Sequence, residues 1–229
     1  MSQTPPPTPL PVVPGQSNFA RRAWWRGFNL TPGVTVRTTA RLRPTLADLA
    51  DRPRELLLSL AAAASAGLCL HPRLNFYTFW GRLVWAGEPV RVGLVLERPD
   101  QSCLVPAVAD AHLRDRGEVW AEVQAALARP APAGAYARLR EGWPTACYAA
   151  ERLSGTFQRR YVRENAPLFI SMLALKGIEE AGFAPAHSMA LFPGWPEDGR
   201  LPLTLCFNHQ LANARPVGRL LLTIRDLLE

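Results

Sequence analysis

His209 is the residue of this sequence best placed for acid–base chemistry. It closely follows a run from Leu201 to Phe207 in which apolar residues alternate with Pro, Thr and Cys, and such alternation indicates a strand. Pro216 to Leu228 then carries an apolar stripe at helical spacing, which predicts a terminal helix. A histidine between the two has a fixed backbone, and imidazole exchanges protons near neutral pH. The residue types alone leave two interpretations, a general base and a structural histidine.

The other histidines and the cysteines form no pattern typical of a metal site. His71, His112 and His187 share no ligand spacing, so we expect no metal. The four cysteines stand far apart without a CxxC pair, which fits neither a zinc site nor a disulfide framework. They are Cys69, Cys103, Cys147 and Cys206. We predict buried free thiols at these positions.

The elements that position His209 can be predicted from periodicity and from capping and turn residues. The predicted elements are strands at Val34–Leu42, Val90–Glu97, Leu104–Val108 and Leu201–Phe207, a hairpin at Phe76–Trp85, and helices at Glu55–Ala66, Gly117–Arg129 and Pro216–Leu228. We expect Asp51 to cap the first helix and Gly67 to end it. Strands and helices follow one another without regular βαβ alternation. This order predicts an α/β or α+β two-layer sandwich with a mixed sheet.

Composition excludes several classes of protein. A content of 48% hydrophobic and 20% charged residues in 229 excludes wholesale disorder. The longest apolar run, Leu56 to Leu70, is shorter than the roughly 20 residues of a membrane helix, so we expect a buried helix and a cytoplasmic protein. Residues 1–17 are rich in proline and predict a disordered tail, with the folded domain at 18–229.

The net charge of +7 rests almost entirely on arginine, since Lys176 is the only lysine. A basic protein can bind nucleic acid, a polyphosphate cofactor or an acidic partner. These arginines are spread along the chain without a long run or a nucleic-acid module. Nucleic-acid binding is therefore not the expected function.

Five blocks of the sequence, taken in order, resemble the catalytic domain of 2-oxoacid dehydrogenase E2 acyltransferases, which are related in fold to chloramphenicol acetyltransferase. The last block resembles a strand followed by D-H-R-x-x-D-G and a helix. The blocks are His71-Pro-Arg-Leu-Asn75, Val90 to Asp110, Ser154-Gly-Thr-Phe157, Pro167 to Glu179, and Leu201 to Glu229. The resemblance spans about residue 30 to 229 and implies a chloramphenicol acetyltransferase-like fold.

The resemblance also implies a mechanism. In this family a histidine takes the proton of a coenzyme A or dihydrolipoamide thiol, the thiolate attacks an acyl thioester, and a serine hydroxyl stabilises the oxyanion. The site lies between subunits of a trimer. We therefore expect coenzyme A as a substrate and a homotrimer or larger homo-oligomer, with other 2-oxoacid dehydrogenase-type subunits as further partners. No lipoyl group is expected on this chain, because Lys176 lies inside the domain.

By the same resemblance, His209 matches the catalytic base and Asn213 stands where the family has its second aspartate. Ala214 replaces the following glycine, which requires a negative φ there. The Gly-Thr-Phe anchor puts Arg160 at the serine position, where a guanidinium is a candidate oxyanion donor. An alternative register puts Ser171 there, 38 residues before His209.

Three functions follow as hypotheses. The first is a stand-alone acyltransferase that uses His209 as the general base. The second is a catalytically inactive relative that assembles as trimers or a larger shell, since most of the motif around His209 is substituted. The third, from charge alone, is a binder of nucleic acid or of a membrane surface.

Overall fold

A computed structural model describes most of the chain from Gly33 onward. The described residues are 33–47, 52–79, 82–97, 103–128, 156–172, 188–209 and 211–229, with 143, 146, 150, 182 and 185. The chain from Thr31 to Glu229 forms one compact unit. The proline-rich segment 1–17 and the predicted domain start at residue 18 lie outside the described residues.

Strands and helices alternate irregularly along the chain. The strands are β1 (Gly33–Arg41), β2 (Phe76–Phe79), β3 (Arg82–Trp85), β4 (Arg91–Leu94), β5 (Leu96–Glu97), β6 (Cys103–Leu104), β7 (Ala107–Ala109), β8 (Leu168–Ile170), β9 (Met189–Pro193) and β10 (Arg200–Asn208). The helices are α1 (Pro44–Ala47), α2 (Pro53–Leu70), α3 (Arg116–Ala128), α4 (Thr156–Glu164) and α5 (Ala214–Leu228), with 3₁₀ turns at Pro72–Leu74 and Ala111–Leu113.

Six strands form one mixed sheet in the order β1-β10-β9-β8-β4-β7. β10 pairs antiparallel with β1 and β9, β8 pairs parallel with β9 and β4, and β7 pairs antiparallel with β4. The predicted hairpin is present as the antiparallel pair β2 and β3. The mixed sheet and the helices confirm the predicted α/β class.

One face of the sheet packs against α2 and α5. α2 is buried around most of its circumference, because a helix that is apolar on every side has no solvent face. The amphipathic helix α5 buries Val217, Leu220, Leu221, Ile224 and Leu228. The two helices share one hydrophobic core with the inward residues of β8, β9 and β10. β10 is thereby fixed, and its last residue leads directly to His209.

The prediction that Gly67 ends α2 is wrong, since the helix continues to Leu70. A Cβ atom at Gly67 would lie 3.1 Å from Ile224 Cγ1 and from Leu220 Cδ1. Gly67 therefore allows α2 and α5 to approach closely, and its role in the fold is packing. Asp51, the expected cap of this helix, lies outside the described residues, and Arg52 occupies the N-cap position.

We expect Gly67→Val to destabilise the fold by about 1–3 kcal/mol, because the added side chain overfills the contact between α2 and α5. Gly218 on α5 is the matched control, since a Cβ there meets no atom within 4 Å. Gly218→Val should change the free energy of unfolding by less than about 0.5 kcal/mol. Urea unfolding measures both values. Equal destabilisation by the two substitutions would contradict the packing role of Gly67.

The second face of the sheet is also covered at its centre. Thr204, Cys206 and Asn208 point away from the helices, yet each is no more than 3% exposed. Cys206 packs with Phe192, and a Cβ at Gly182 would lie 2.8 Å from Cys206 Sγ. The alternation predicted for β10 is therefore real, but both of its faces are buried.

α2 is long and apolar enough to cross a membrane by length and composition alone. It is mostly buried inside the domain, and its centre packs against α5 and the sheet. Its apolar character is therefore accounted for by the protein core.

Candidate functional site

His209 lies at the end of β10, where the strand leaves the sheet. Asn208, its predecessor, is 3% exposed and pairs with Gly33 of β1. Leu211 N donates a hydrogen bond of 2.8 Å to Asn208 O, which closes a turn around His209. The His209 side chain is half-buried. The histidine thus has a rigid backbone and remains accessible, as a proton-transfer residue requires.

Asn213 lies at the N-cap of α5, with an extended backbone at φ −79° and ψ 159°. Asparagine is among the residues preferred at this position. Ala214 begins the helix and has a negative φ, as predicted for an alanine at this position. The structure therefore places His209 and Asn213 at the two ends of the link between β10 and α5.

Helix α4 lies at the same end of the sheet as His209. The Tyr77 hydroxyl donates a 2.8 Å hydrogen bond to Asn165 O, and the rings of Tyr77 and Tyr161 meet edge to face at 5.4 Å. Burial raises the pKa of Tyr161. Ser188 precedes Met189, which pairs with Phe207 near the end of β10. These contacts bring α4 and the hairpin to the His209 end of the sheet.

Arg160 lies on α4 and is paired with a carboxylate one turn later. Its Nε donates a 2.8 Å hydrogen bond to Glu164 Oε2. Burial acts to raise the pKa of Glu164, but the hydrogen bonds and charges of Arg160 and Arg163 outweigh it and lower that pKa. An i,i+4 pair on a helix surface contributes only about 0.3–0.5 kcal/mol. Arg160 therefore stabilises its own helix.

Ser171 follows β8 at the opposite end of the sheet. Its backbone N–H donates a 2.9 Å hydrogen bond to Leu191 O. The registers of β8 with β9 and of β9 with β10 put Ser171 level with Thr204. His209 is then five residues farther along and two strands across, roughly 19 Å away. Ser171 and His209 of one chain cannot touch the same reacting atom.

Another histidine cluster lies at the end of α2. His112 Nδ1 is 2.8 Å from Ser65 Oγ, and its Nε2 is 3.6 Å from Cys69 Sγ. Partial desolvation and the negative charges of Asp110 and Glu88 raise the pKa of Cys69, so the thiol form is favoured. The cluster has the residue types of a nucleophilic site, but its environment favours the protonated thiol of Cys69, which is a weaker nucleophile than the thiolate.

The prediction of buried thiols is confirmed for Cys206 and wrong for Cys69, which is exposed. Cys69 lies in the last turn of α2, where the helix leaves the core. The side chains of Cys103 and Cys147 lie outside the described residues. Within the described part of the chain, no three His, Cys, Asp or Glu side chains come together as metal ligands.

Sequence reasoning missed helix α4 and its tyrosine contacts. The resemblance of Ser154-Gly-Thr-Phe157 to the family motif gives no indication of the helix Thr156–Glu164. Arg160 and Glu164 have the i,i+4 spacing of a helical ion pair. The contact of Tyr161 with Tyr77 joins residues distant in sequence, and no local pattern indicates it.

Comparison of the sequence with models of protein families and with curated proteins finds no match. Solved structures do match. The cubic core of the pyruvate dehydrogenase multienzyme complex matches at a TM-score of 0.57 and 19% identity, over 91% of this chain and 86% of that chain.

Two further structures agree with the first. Azotobacter vinelandii dihydrolipoamide acetyltransferase matches at a TM-score of 0.54 and 20% identity, over 93% of this chain and 86% of that chain. In that protein a serine, a histidine and an asparagine four residues after the histidine were investigated for their roles in catalysis. A chloramphenicol acetyltransferase matches at a TM-score of 0.57 and 12% identity, over 93% of this chain and 94% of that chain. The chain therefore has the chloramphenicol acetyltransferase-like fold of 2-oxoacid dehydrogenase E2 catalytic cores.

Proposed function

We propose that this domain is an acyltransferase that moves an acyl group between coenzyme A and a thiol acceptor. The observation that carries the proposal is the position of His209. It follows the last strand of an acyltransferase-type sheet, half-buried, with Asn213 four residues later. The same histidine–asparagine spacing occurs in the A. vinelandii acetyltransferase.

In the proposed reaction, His209 takes the proton from the attacking thiol. The thiolate adds to the carbonyl carbon of the acyl thioester and forms a tetrahedral oxyanion. Collapse of this intermediate breaks the original C–S bond, and the leaving thiolate recovers the proton from the His209 imidazolium. No net proton is consumed, so the base is ready for another turnover.

The oxyanion needs a hydrogen-bond donor, and we propose Ser171 of a neighbouring copy. Arg160 forms an ion pair with Glu164, whereas Ser171 directly follows β8 of the main sheet. Within one chain Ser171 is roughly 19 Å from His209, as the strand registers indicate. A head-to-tail contact between copies brings opposite ends of two sheets together, and such contacts generate a ring where the rotation between copies closes. This argument supports a ring-shaped homo-oligomer, of which a homotrimer is the smallest.

Charge supports coenzyme A as one substrate. The chain carries a net charge of +7, and a positive field attracts the phosphates of the cofactor. Other 2-oxoacid dehydrogenase-type subunits remain candidate partners, and a cytoplasmic location remains a prediction.

The alternative is an inactive relative that keeps the fold for assembly. Its support lies in the substitutions around His209, where Asn208, Gln210, Asn213 and Ala214 replace four residues of the family motif. Those of them that the structure describes fit the fold without strain, since Asn208 is paired in the sheet and Ala214 is helical. Fitting the fold does not require activity, so the two functions differ only in ligand binding and turnover.

Isothermal titration with coenzyme A and acetyl-coenzyme A separates the two functions. The acyltransferase is expected to bind both ligands with a Kd of about 1–100 μM, within the usual range for enzyme substrates. His209→Ala is the control for a site beside the histidine, and it should alter the heat or the affinity of binding. If the protein is folded and trimeric but binds neither ligand, the acyltransferase function is excluded and the structural role is supported.

A further inference from the structure

A cavity of about 290 Å³ opens on the helical side of the domain, away from His209. It is bounded by α1, α2, the 3₁₀ turn Ala111–Leu113, the start of α3 and the end of α5. Arg43, His112 and Arg116 contribute to its wall. Of the described residues that line it, none carries a carboxylate. Its lining therefore favours an anion.

Arg43 and Arg116 both have N–H groups available to donate hydrogen bonds to a ligand. The Arg43 guanidinium donates to Leu227 O at the end of α5, and Arg43 N donates to Leu228 O at 3.3 Å. A guanidinium has five N–H donors, so the remaining ones are available. Arg116 is exposed, and among the described residues it makes no hydrogen bond or ion pair. Both side chains can bind an oxyanion without breaking an existing ion pair.

His112 forms an ordered part of the wall. Ser65 and Cys69 lie at hydrogen-bonding distance from its two ring nitrogens and fix the orientation of the ring. The wall on this side does not need to rearrange when a ligand enters, and a preorganised wall lowers the cost of binding.

The opposite wall is made of small apolar side chains. Ala62, Ala63 and Ala66 of α2 face the cavity, whereas the same helix has leucines where it faces the sheet. Methyl groups leave room for a carbon skeleton and give it an apolar contact. The volume is near the lower end of the range for ligand pockets, roughly 300–1,000 Å³, so the ligand must be small.

The cavity is separate from the proposed acyl-transfer site. β1 runs from Gly33, which pairs with Asn208 beside His209, to Arg41 at the other end of the sheet. Arg43 follows two residues later, roughly 30 Å from the histidine at the rise of an extended strand. Binding in the cavity therefore does not depend on the proposed function.

We propose that this cavity binds a small phosphorylated organic molecule. Arg43 and Arg116 hold the phosphate, because guanidinium groups match the geometry and charge of phosphate oxygens. The alanine wall of α2 packs against the organic part of the ligand.

Titration calorimetry of the whole protein at constant ionic strength tests the proposal, with glycerol 3-phosphate and inorganic phosphate as probes. Both are expected to bind, glycerol 3-phosphate more tightly. Arg116→Gln should weaken binding of both by about tenfold or more, the effect of losing a hydrogen bond to a charged group. Ala62→Leu, which fills the cavity, should weaken the binding of glycerol 3-phosphate more than the binding of inorganic phosphate.

Arg73→Gln is the matched control, because Arg73 is an exposed arginine on another surface. It removes the same charge and should leave both affinities unchanged. Equal weakening by Arg73→Gln and Arg116→Gln would overturn the proposal in favour of a general charge effect. Equal affinity for the two probes would contradict the claim that the cavity binds the organic part of the ligand. If the folded wild-type protein binds neither probe, the cavity is not a phosphate-binding site.

Discussion

His209→Ala is expected to lower kcat for acyl transfer by about 10²–10⁴-fold, the usual contribution of a general base. Without the imidazole, the attacking thiol keeps its proton near neutral pH, and a thiol is a poor nucleophile. His209→Gln should lower kcat by the same factor, because an amide can hydrogen-bond to the thiol but cannot take its proton. Transfer of the acetyl group from acetyl-coenzyme A to dihydrolipoamide, followed under steady-state conditions, measures the effect.

His71 provides the matched control for this substitution. Its Nε2 is 2.8 Å from Thr223 Oγ1 on α5, and it serves to join the helices. His71→Gln should leave kcat within about twofold of the wild-type value while lowering Tm slightly, since it exchanges one hydrogen bond of about 1 kcal/mol. If the two histidine variants have the same kcat, His209 is a structural histidine.

Ser171→Ala is expected to lower kcat by about 10²–10³-fold, as removal of one oxyanion-hole donor does in other acyl transfers. The KM for acetyl-coenzyme A should change little, because the hydroxyl is expected to bind the oxyanion of the transition state more strongly than the ground-state carbonyl. The backbone hydrogen bond from Ser171 N to Leu191 O does not involve the side chain and is retained. A loss confined to kcat therefore reports on chemistry.

Arg160→Gln distinguishes Ser171 from the other candidate donor. Arg160 forms an exposed ion pair on α4, so this substitution should change kcat by less than about threefold and cost less than about 0.5 kcal/mol in stability. The reverse pattern, with a large loss for Arg160→Gln and none for Ser171→Ala, would make Arg160 the oxyanion donor.

The elements with strong local patterns could be predicted from the sequence. The alternation in β10, the apolar stripe of α5 and the apolar composition of α2 each determine one element, and all three occur. The role of Gly67 could not be predicted in this way. A glycine near a helix end has the same local signature whether it stops the helix or allows a neighbouring helix to approach, and only the contact with Leu220 and Ile224 decides between them.

The candidate site could be predicted only in part. His209 was found because the strand before it and the helix after it both have clear periodicity. The separation between Ser171 and His209 depends on the order and direction of β8, β9 and β10, which no segment of the sequence specifies. The cavity beside α2 was missed for a related reason, since its alanines are indistinguishable in sequence from those of a helix core.

Co-expression of His209→Ala and Ser171→Ala chains, each with its own tag, tests most directly whether the acyl-transfer site forms between copies. After both tags have been used to isolate mixed oligomers, acetyl transfer is measured beside each single variant. In a mixed trimer of head-to-tail copies, one of the three interfaces pairs an intact His209 with an intact Ser171, which should restore up to about one third of wild-type activity. Mixed oligomers no more active than the single variants would contradict a site built from two copies of this chain.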